Sequence, residues 1–348
     1  MLGISVYAGM DNKVEDIIDY IDRASKLGIK TVFSSAHIPE VDENFEKDFE
    51  TILEECSKRD MTTIMDISKG YFDKLDIEKH KIDYLRLDYG FTIKEAALMS
   101  QKCGFGISVN ATTFSEEQIK DFKKYGGDIN KINACHNFYP RKGTGISEEL
   151  FIEKNKLFNQ YGVKTMAFIS SNHIRRGPVY EGLPTMEMHR EILPIVSAQH
   201  LLDLGVDYVV IGDAMASDKE LKDLSLIKED LKLIPLKINK DLSDIELDLL
   251  KEVHTNREDP GALAIRSQES RLIKKGKISP KNNGLQRKKY SVTIDNEGYS
   301  RYEGELEILL ESLETDSRIN VVGNGDRGAI LIDRLKPGEK FKFILFED

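Results

Sequence analysis

The chain is poor in cysteine and has no long apolar run, and both absences narrow what it can be. Cys56, Cys103 and Cys135 are the only cysteines among 348 residues, and no two are close in sequence. Such spacing gives neither a disulfide framework nor a zinc-binding pair, so small buried filler is the expected role. No segment approaches the roughly 18 consecutive apolar residues of a membrane span. The chain opens directly on a strand-like segment, Leu2 to Tyr7, without a basic and apolar leader, and a cytoplasmic location is expected. Positive charge is in deficit: 50 Lys and Arg against 60 Asp and Glu leave a formal net charge of −10. That balance argues against nucleic acid as a partner, which needs a basic face, and no membrane partner is expected. A glycine-rich dinucleotide loop is missing as well, since Gly9 stands alone before Met10-Asp11-Asn12. There is no internal repeat and no low-complexity tract.

What is present is an alternation. Hydrophobic residues make up 40% of the chain and charged residues 32%, enough for a real core under a solvated surface. Short apolar runs at Gly3–Tyr7, Thr31–Ser34, Thr62–Ile67, Tyr84–Asp88, Gly106–Asn110, Lys131–His136, Thr165–Ile169 and Tyr208–Ile211 read as strands. Between them, helical periodicity runs over Val14–Leu27, Phe45–Arg59, Lys94–Lys102, Glu116–Tyr125, Glu148–Tyr161, Met186–Leu204 and Lys219–Leu231, with a short helix at best over Gly70–Lys81. Glycines just past several of these segments, such as Gly28, Gly162 and Gly205, are stop signals. Eight strands each followed by a helix predict an α/β fold, a (β/α)8 TIM barrel over residues 1–234. Beyond Pro235 the pattern changes. Asp244–Val253 reads as a helix, and Tyr290–Ile294, Ile319–Val322, Ala329–Ile332 and Lys340–Phe346 read as short strands of a small β-rich domain over 235–348.

Chemistry in such a barrel sits at the C-terminal ends of the strands. That rule nominates Ser5 and Tyr7, Ser34, Ser35 and His37, Asp66, Arg86 and Asp88, Asn110, His136 to Arg141, Ser170 and Asn172, and Gly212 and Asp213. Two loops stand out against the acidic background: Asn133–Gly145, with His136, Asn137, Tyr139, Arg141 and Lys142, and Ser170–Thr185, with Arg175, Arg176 and Glu181. Guanidinium forks match planar oxyanions, and Gly143, Gly145 and Gly177 would let backbone N–H groups approach one closely. Asp66, Asp88 and Asp213 close apolar strands, where a carboxylate is costly unless it is paired or functional. Together with Glu181 they are the catalytic candidates, Asp88 and Glu181 first, for chemistry that needs two carboxyl groups flanking a glycosidic bond. His136 is open between substrate contact, proton transfer and a core position. His189 is expected to be structural or to support the site from behind.

His136-Asn137-Phe138-Tyr139-Pro140-Arg141 with Thr144-Gly145, Arg176-Gly177-Pro178 and Tyr180-Glu181-Gly182-Leu183-Pro184-Thr185 resemble the MupG-like 6-phospho-N-acetylmuramidases. So do Ser108-Val109-Asn110-Ala111, Gly212-Asp213-Ala214, His254-Thr255-Asn256-Arg257 and Ile265-Arg266-Ser267, so that the likeness spans essentially the whole chain. The resemblance implies a TIM barrel followed by a cyclophilin-like β domain. It implies cytoplasmic cleavage of the β-1,4 bond between N-acetylmuramic acid 6-phosphate and N-acetylglucosamine, in peptidoglycan recycling. The expected partner is therefore a small phosphorylated amino-sugar disaccharide, with no cofactor and no metal. Asn110, His136, Asn137 and Tyr139 would hold sugar groups, while Arg141, Arg175 and Arg176 would take the phosphate and lactyl anions. Arg257, Arg266 and Arg271 of the second domain are further candidates to reach the site, and a homo-oligomer stays open.

Two other readings stay open too. One is a divalent-metal sugar-phosphate isomerase or epimerase, with Asp66, Asp88, His136 and Asp213 as ligands. The other is a non-catalytic phosphosugar-binding protein with the second domain as its output. A Schiff-base aldolase has less support, because Lys69 and Lys142 lie beyond their strand ends.

Overall fold

The computed structural model describes residues 1–10, 12–35, 45–72, 80–281 and 285–347. Asp11, His37 and most of the helix expected over Gly70–Lys81 lie outside the described residues. The chain forms two compact units, Met1–Leu226 and Ile227–Asp348.

In the first unit, strands β1 (Leu2–Val6), β2 (Thr31–Ser35), β3 (Thr62–Ile67), β4 (Tyr84–Leu87), β5 (Gly106–Asn110), β6 (Ile132–Cys135), β7 (Lys164–Ile169) and β8 (Tyr208–Ile211) close into a parallel barrel. β1 pairs with both β2 and β8, for example Ile4 with Val32 and with Ile211, so the sheet has no free edge. Helices α1 (Val14–Lys26), α2 (Phe45–Lys58), α3 (Lys69–Phe72), α4 (Ile93–Lys102), α5 (Glu116–Lys124), α6 (Glu148–Gln160), α7 (Pro194–Asp203) and α8 (Asp218–Ser225) follow the strands in turn. Strands covered on both faces need near-continuous apolar runs, and all four residues of β8 are buried. Ser and Thr caps start the helices: Thr92, Ser115 and Ser217 each form a reciprocal capping box with a Glu or Gln three residues on.

Strand alternation sends every second side chain into the barrel. Phe33, Ile64, Cys135, Met166, Phe168, Tyr208 and Val210 form one buried cluster there, with Tyr84 and Phe138 packed against it. Phe33 meets Phe168 edge to face at 5.0 Å, and Phe138 meets Phe168 at 5.1 Å. Arg86, two residues beyond inward-facing Tyr84, and Asp66, two beyond Ile64, continue the same inward rows to the strand ends.

The second unit is a seven-stranded sheet of β9 (Leu231–Ile238), β10 (Val253–Thr255), β11 (Ala264–Arg266), β12 (Ser291–Asp295), β13 (Leu306–Leu309), β14 (Ile319–Asn324) and β15 (Lys340–Phe346). Its order is β10-β15-β9-β14-β12-β13-β11, with β15 and β9 parallel. Its own core includes Ile234, Leu236, Val292, Ile294, Ile308, Val322, Phe341 and Phe343. The helix α9 (Asp244–Lys251) occupies most of the helical reading at Asp244–Val253.

Several element readings change. The helix expected over Met186–Leu204 is a 3-10 turn at Glu187–His189 and then α7, because Pro194 cannot continue a helix and instead opens one. The helix expected to reach Leu231 stops at Ser225, and Leu231 begins β9. That strand pairs with β15 and β14, so the units divide between Leu226 and Ile227, ahead of the 234/235 boundary read from the sequence. Ala329–Ile332 is a single helical turn, not a strand; four apolar residues fit either period. Strands β10, β11 and β13 have three or four residues each, too few for an alternating pattern to show.

Candidate functional site

At the ends of β3 to β6, five of the nominated residues form one bonded cluster around Arg86. Its side chain is almost wholly buried, and Nη1 donates to Asp66 at 2.5 Å and to Asp88 at 3.4 Å. Nη2 donates to the Asn137 side-chain oxygen, which also accepts from Asn110 Nδ2 at 3.1 Å. With its oxygen facing two donors, Asn137 turns its amide nitrogen to the remaining side. Burial opposes the Arg86 charge, but Asp66 and its neighbours outweigh this and hold the guanidinium protonated above its ordinary range. Behind it, burial pushes the Cys135 thiol up to about 12, so this cysteine is a neutral filler. Asp66 is half-buried and Asp88 exposed, one deeper and one shallower on the same cation.

A second group lies around Tyr7 at the end of β1. Its hydroxyl donates to Gly212 O at 2.6 Å, and burial raises its pKa to about 12, so it stays a phenol. The Arg176 guanidinium sits 4.6 Å from the Tyr7 ring centre and 5.0 Å from that of Phe138. Its Nε donates to Gly177 O at 3.3 Å, and no carboxylate pairs with it among the described residues. Arg175 differs, being paired with Glu191 at 3.0 Å. Arg141 is exposed, without a side-chain partner among the described residues.

The loops that carry these cations are held by carboxylates, one of them fully buried. Asp213 is fully buried and accepts backbone N–H groups from Ser171 at 2.8 Å, Arg176 at 3.2 Å and Leu183 at 3.3 Å. Burial raises its pKa, and the three N–H donors oppose that rise. Its oxygens are spent on shaping the 170–185 loop. Glu220, already in the α8 capping box, accepts from Asn172 N at 2.8 Å. Glu181 accepts the Lys142 N–H at 2.7 Å, so it locks the 141–145 loop from the far side. The N–H groups of Gly143 and Gly145 do approach an oxyanion, as expected, but the oxyanion belongs to the protein: each donates to Glu187 at 2.8 Å. A Cβ at Gly145 would lie 2.6 Å from the Glu187 backbone nitrogen, which explains the glycine.

His136 points away from the barrel interior. It is fully buried, with Nδ1 3.2 Å from Thr112 Oγ1, Nε2 2.9 Å from Asn155 Oδ1 and its ring over Phe151. Burial lowers its pKa to about 4, so it is neutral, and its alternation opposite to Cys135 sends it to α6. Tyr139 is half-buried, its N–H on Pro184 O at 3.0 Å. Arg257 pairs with Asp259, while Arg266 and Arg271 both pair with Glu305, all within the second unit. Among the described residues no three or more His, Cys, Asp or Glu side chains stand together as a metal-binding set. Sequence reasoning missed Glu187 and Arg190, which lie in a stretch read as continuous helix; only Pro194 signalled otherwise.

The barrel and its strand-end cluster define a (β/α)8-barrel protein in which two carboxylates share Arg86, while Arg176 and Arg141 have no carboxylate partner among the described residues. The chain belongs to the 6-phospho-N-acetylmuramidase family: residues 2–226 match its N-terminal part and residues 233–344 its C-terminal part. A conserved protein of unknown function from Enterococcus faecalis is 30% identical, with a TM-score of 0.83 over 99% of this chain and 96% of that one. An uncharacterized B. cereus protein is 27% identical, with a TM-score of 0.83 over 99% of both chains. No curated protein matches the chain. No helix among the described residues is long and apolar enough to cross a membrane.

Proposed function

We propose that the protein is a cytoplasmic glycosidase that cleaves the β-1,4 bond between N-acetylmuramic acid 6-phosphate and N-acetylglucosamine during peptidoglycan recycling. The family name supports the reaction class, and the observation that carries it to this chain is the sharing of Arg86 by Asp66 and Asp88. Two carboxyl groups at one barrel mouth are what glycosidic cleavage needs. Asp66, tightly ion-paired, faces the anomeric carbon as the carboxylate. Asp88, more loosely held and exposed, delivers the proton to the leaving oxygen. Glu181 and Asp213 shape the loops in this reading, since both accept backbone N–H groups. Asn110 and Asn137 hold the sugar, with the free Asn137 amide nitrogen placed for a carbonyl such as the acetamido group. Arg176 and Arg141, which have no carboxylate partner among the described residues, take the phosphate and lactyl anions, and Arg175 supports them.

The test is incubation of the protein with the 6-phosphorylated disaccharide and with its unphosphorylated counterpart, followed by mass spectrometry of the monosaccharides. Cleavage confined to the phosphorylated substrate is expected. D66N and D88N should each lower kcat about 10²–10⁴-fold. Full activity in either variant would remove that residue from the pair.

A further inference from the structure

The Arg190 guanidinium is the most heavily bonded side chain near the mouth, and the reaction proposed above gives it no role. It is 2% exposed. Nη1 donates to Glu181 O at 3.2 Å and Gly182 O at 2.9 Å, both in the 170–185 loop. Nη2 donates to Tyr139 O at 3.0 Å and Arg141 O at 3.2 Å, both in the loop after β6. Nε and Nη2 also grip the Glu187 carboxylate, at 2.8 and 2.6 Å. One rigid fork thus joins two loops and one carboxylate, a pattern that lysine, with three donors on a flexible stem, cannot copy.

Glu187 extends this grip. Its two oxygens accept the N–H groups of Gly143 and Gly145, so the 141–145 turn is wrapped around an internal anion. The Arg190 hydrogen bonds, against some desolvation, hold the Glu187 carboxyl down at about 2, ionised across the working range. The backbone N–H groups of this turn are therefore spent, and a bound anion meets the Arg141 side chain rather than a nest of amides.

We propose that Arg190 is a positioning residue that, through Glu187 and the Arg141 carbonyl, fixes the 141–145 turn so that Arg141 is presented to the anionic part of the substrate. The clamp rests on the glycosidase reading for its effect on turnover, but not for its effect on the loop. Arg190 touches no reacting atom. Its loss weakens binding of the charged substrate and leaves the carboxylate pair alone.

The experiment combines steady-state kinetics of the full chain on the phosphorylated disaccharide with amide hydrogen exchange over Lys142–Gly145, for R190K, R141A, the double variant and E187Q. R190K is expected to raise KM about tenfold, the equivalent of one lost charge-assisted bond, with kcat within about threefold. Exchange over Lys142–Gly145 should quicken in R190K and in E187Q, which keeps every carbonyl contact of Arg190. R190K should add little to R141A, because the cation it positions is already gone. Additive losses in the double variant, or unchanged exchange in both R190K and E187Q, would overturn the proposal. If the wild-type protein cleaves nothing, the glycosidase reading falls and exchange alone decides: quickened exchange keeps the clamp, unchanged exchange ends it.

Discussion

Asp66 and Asp88 show how much one shared partner constrains a pair of residues. One oxygen of each carboxylate sits on the same nitrogen of Arg86, at 2.5 and 3.4 Å, so those two oxygens lie within about 5.9 Å of each other, which favours the closer of the two spacings that glycosidases use. Retaining glycosidases place their carboxyl groups about 5–5.5 Å apart and inverting ones about 6.5–9.5 Å. Retention of the anomeric configuration is the expected outcome, read by proton NMR of the first-formed sugar before mutarotation; inversion would show that this pair does not do the chemistry. Arg176 is constrained differently. It is half-buried and rests on Tyr7 and Phe138, with no carboxylate partner among the described residues. R176Q should raise KM for the phosphorylated disaccharide about 10–100-fold, the worth of a charge-assisted hydrogen bond. A KM within twofold of wild type would place the anion elsewhere.

At the scale of the element, the loops are held as firmly as the strands they extend. Asp213 satisfies three backbone N–H groups of the 170–185 loop from the end of β8. D213A should cost about 2–4 kcal/mol in chemical denaturation, since it leaves those donors buried and unpaired, and should open the loop to limited proteolysis. Histidines lock the helices beneath. His189 Nε2 lies 2.9 Å from His200 Nδ1, and burial with the neighbouring His200 lowers the His189 pKa to about 3. His136 is lowered to about 4 by burial. Both regain the ordinary 6.5 on unfolding, so the unfolded chain takes up protons first. Their contribution to stability is intact above pH 6.5 and is lost as pH falls toward 4 and 3, by up to about 1.4 kcal/mol per pH unit each. Denaturant midpoints recorded from pH 7 to 4 should fall, and less steeply in H136Q; an unchanged slope would contradict the buried, neutral assignment.

For the whole molecule, each unit has a core that closes on itself. The barrel has no free edge, and the second sheet packs Ile234, Val292, Phe341 and their neighbours into a separate cluster. A chain ending at Leu226 is therefore expected to fold and to unfold in one cooperative transition by circular dichroism. A molten product without near-ultraviolet signal would mean that the barrel depends on the rest of the chain. The acidic balance of −10 belongs to this scale as well, since Arg141 and Arg176, without carboxylate partners among the described residues, stand against it.

Sequence alone determined the barrel. Eight apolar runs, too short for anything but strands, separated by amphipathic helices with legible caps, leave few alternatives, because periodicity and capping are local. It also brought Asp66, Asp88, Asn110, Asn137 and the loop arginines forward, because strand ends are where a barrel exposes polar groups. Only tertiary structure decided which of them meet. Arg86 bonds three partners, two of them from other strand ends, while His136, in the same motif as Asn137, turns outward because side chains alternate along a strand. Glu181 and Asp213 carry the same carboxylate as Asp66 and Asp88, yet their oxygens are used by backbone N–H groups that arrive from distant loops. Arg190 lay unseen for the same reason: every acceptor it holds beyond Glu187 is a backbone carbonyl, and a carbonyl leaves no mark in a sequence.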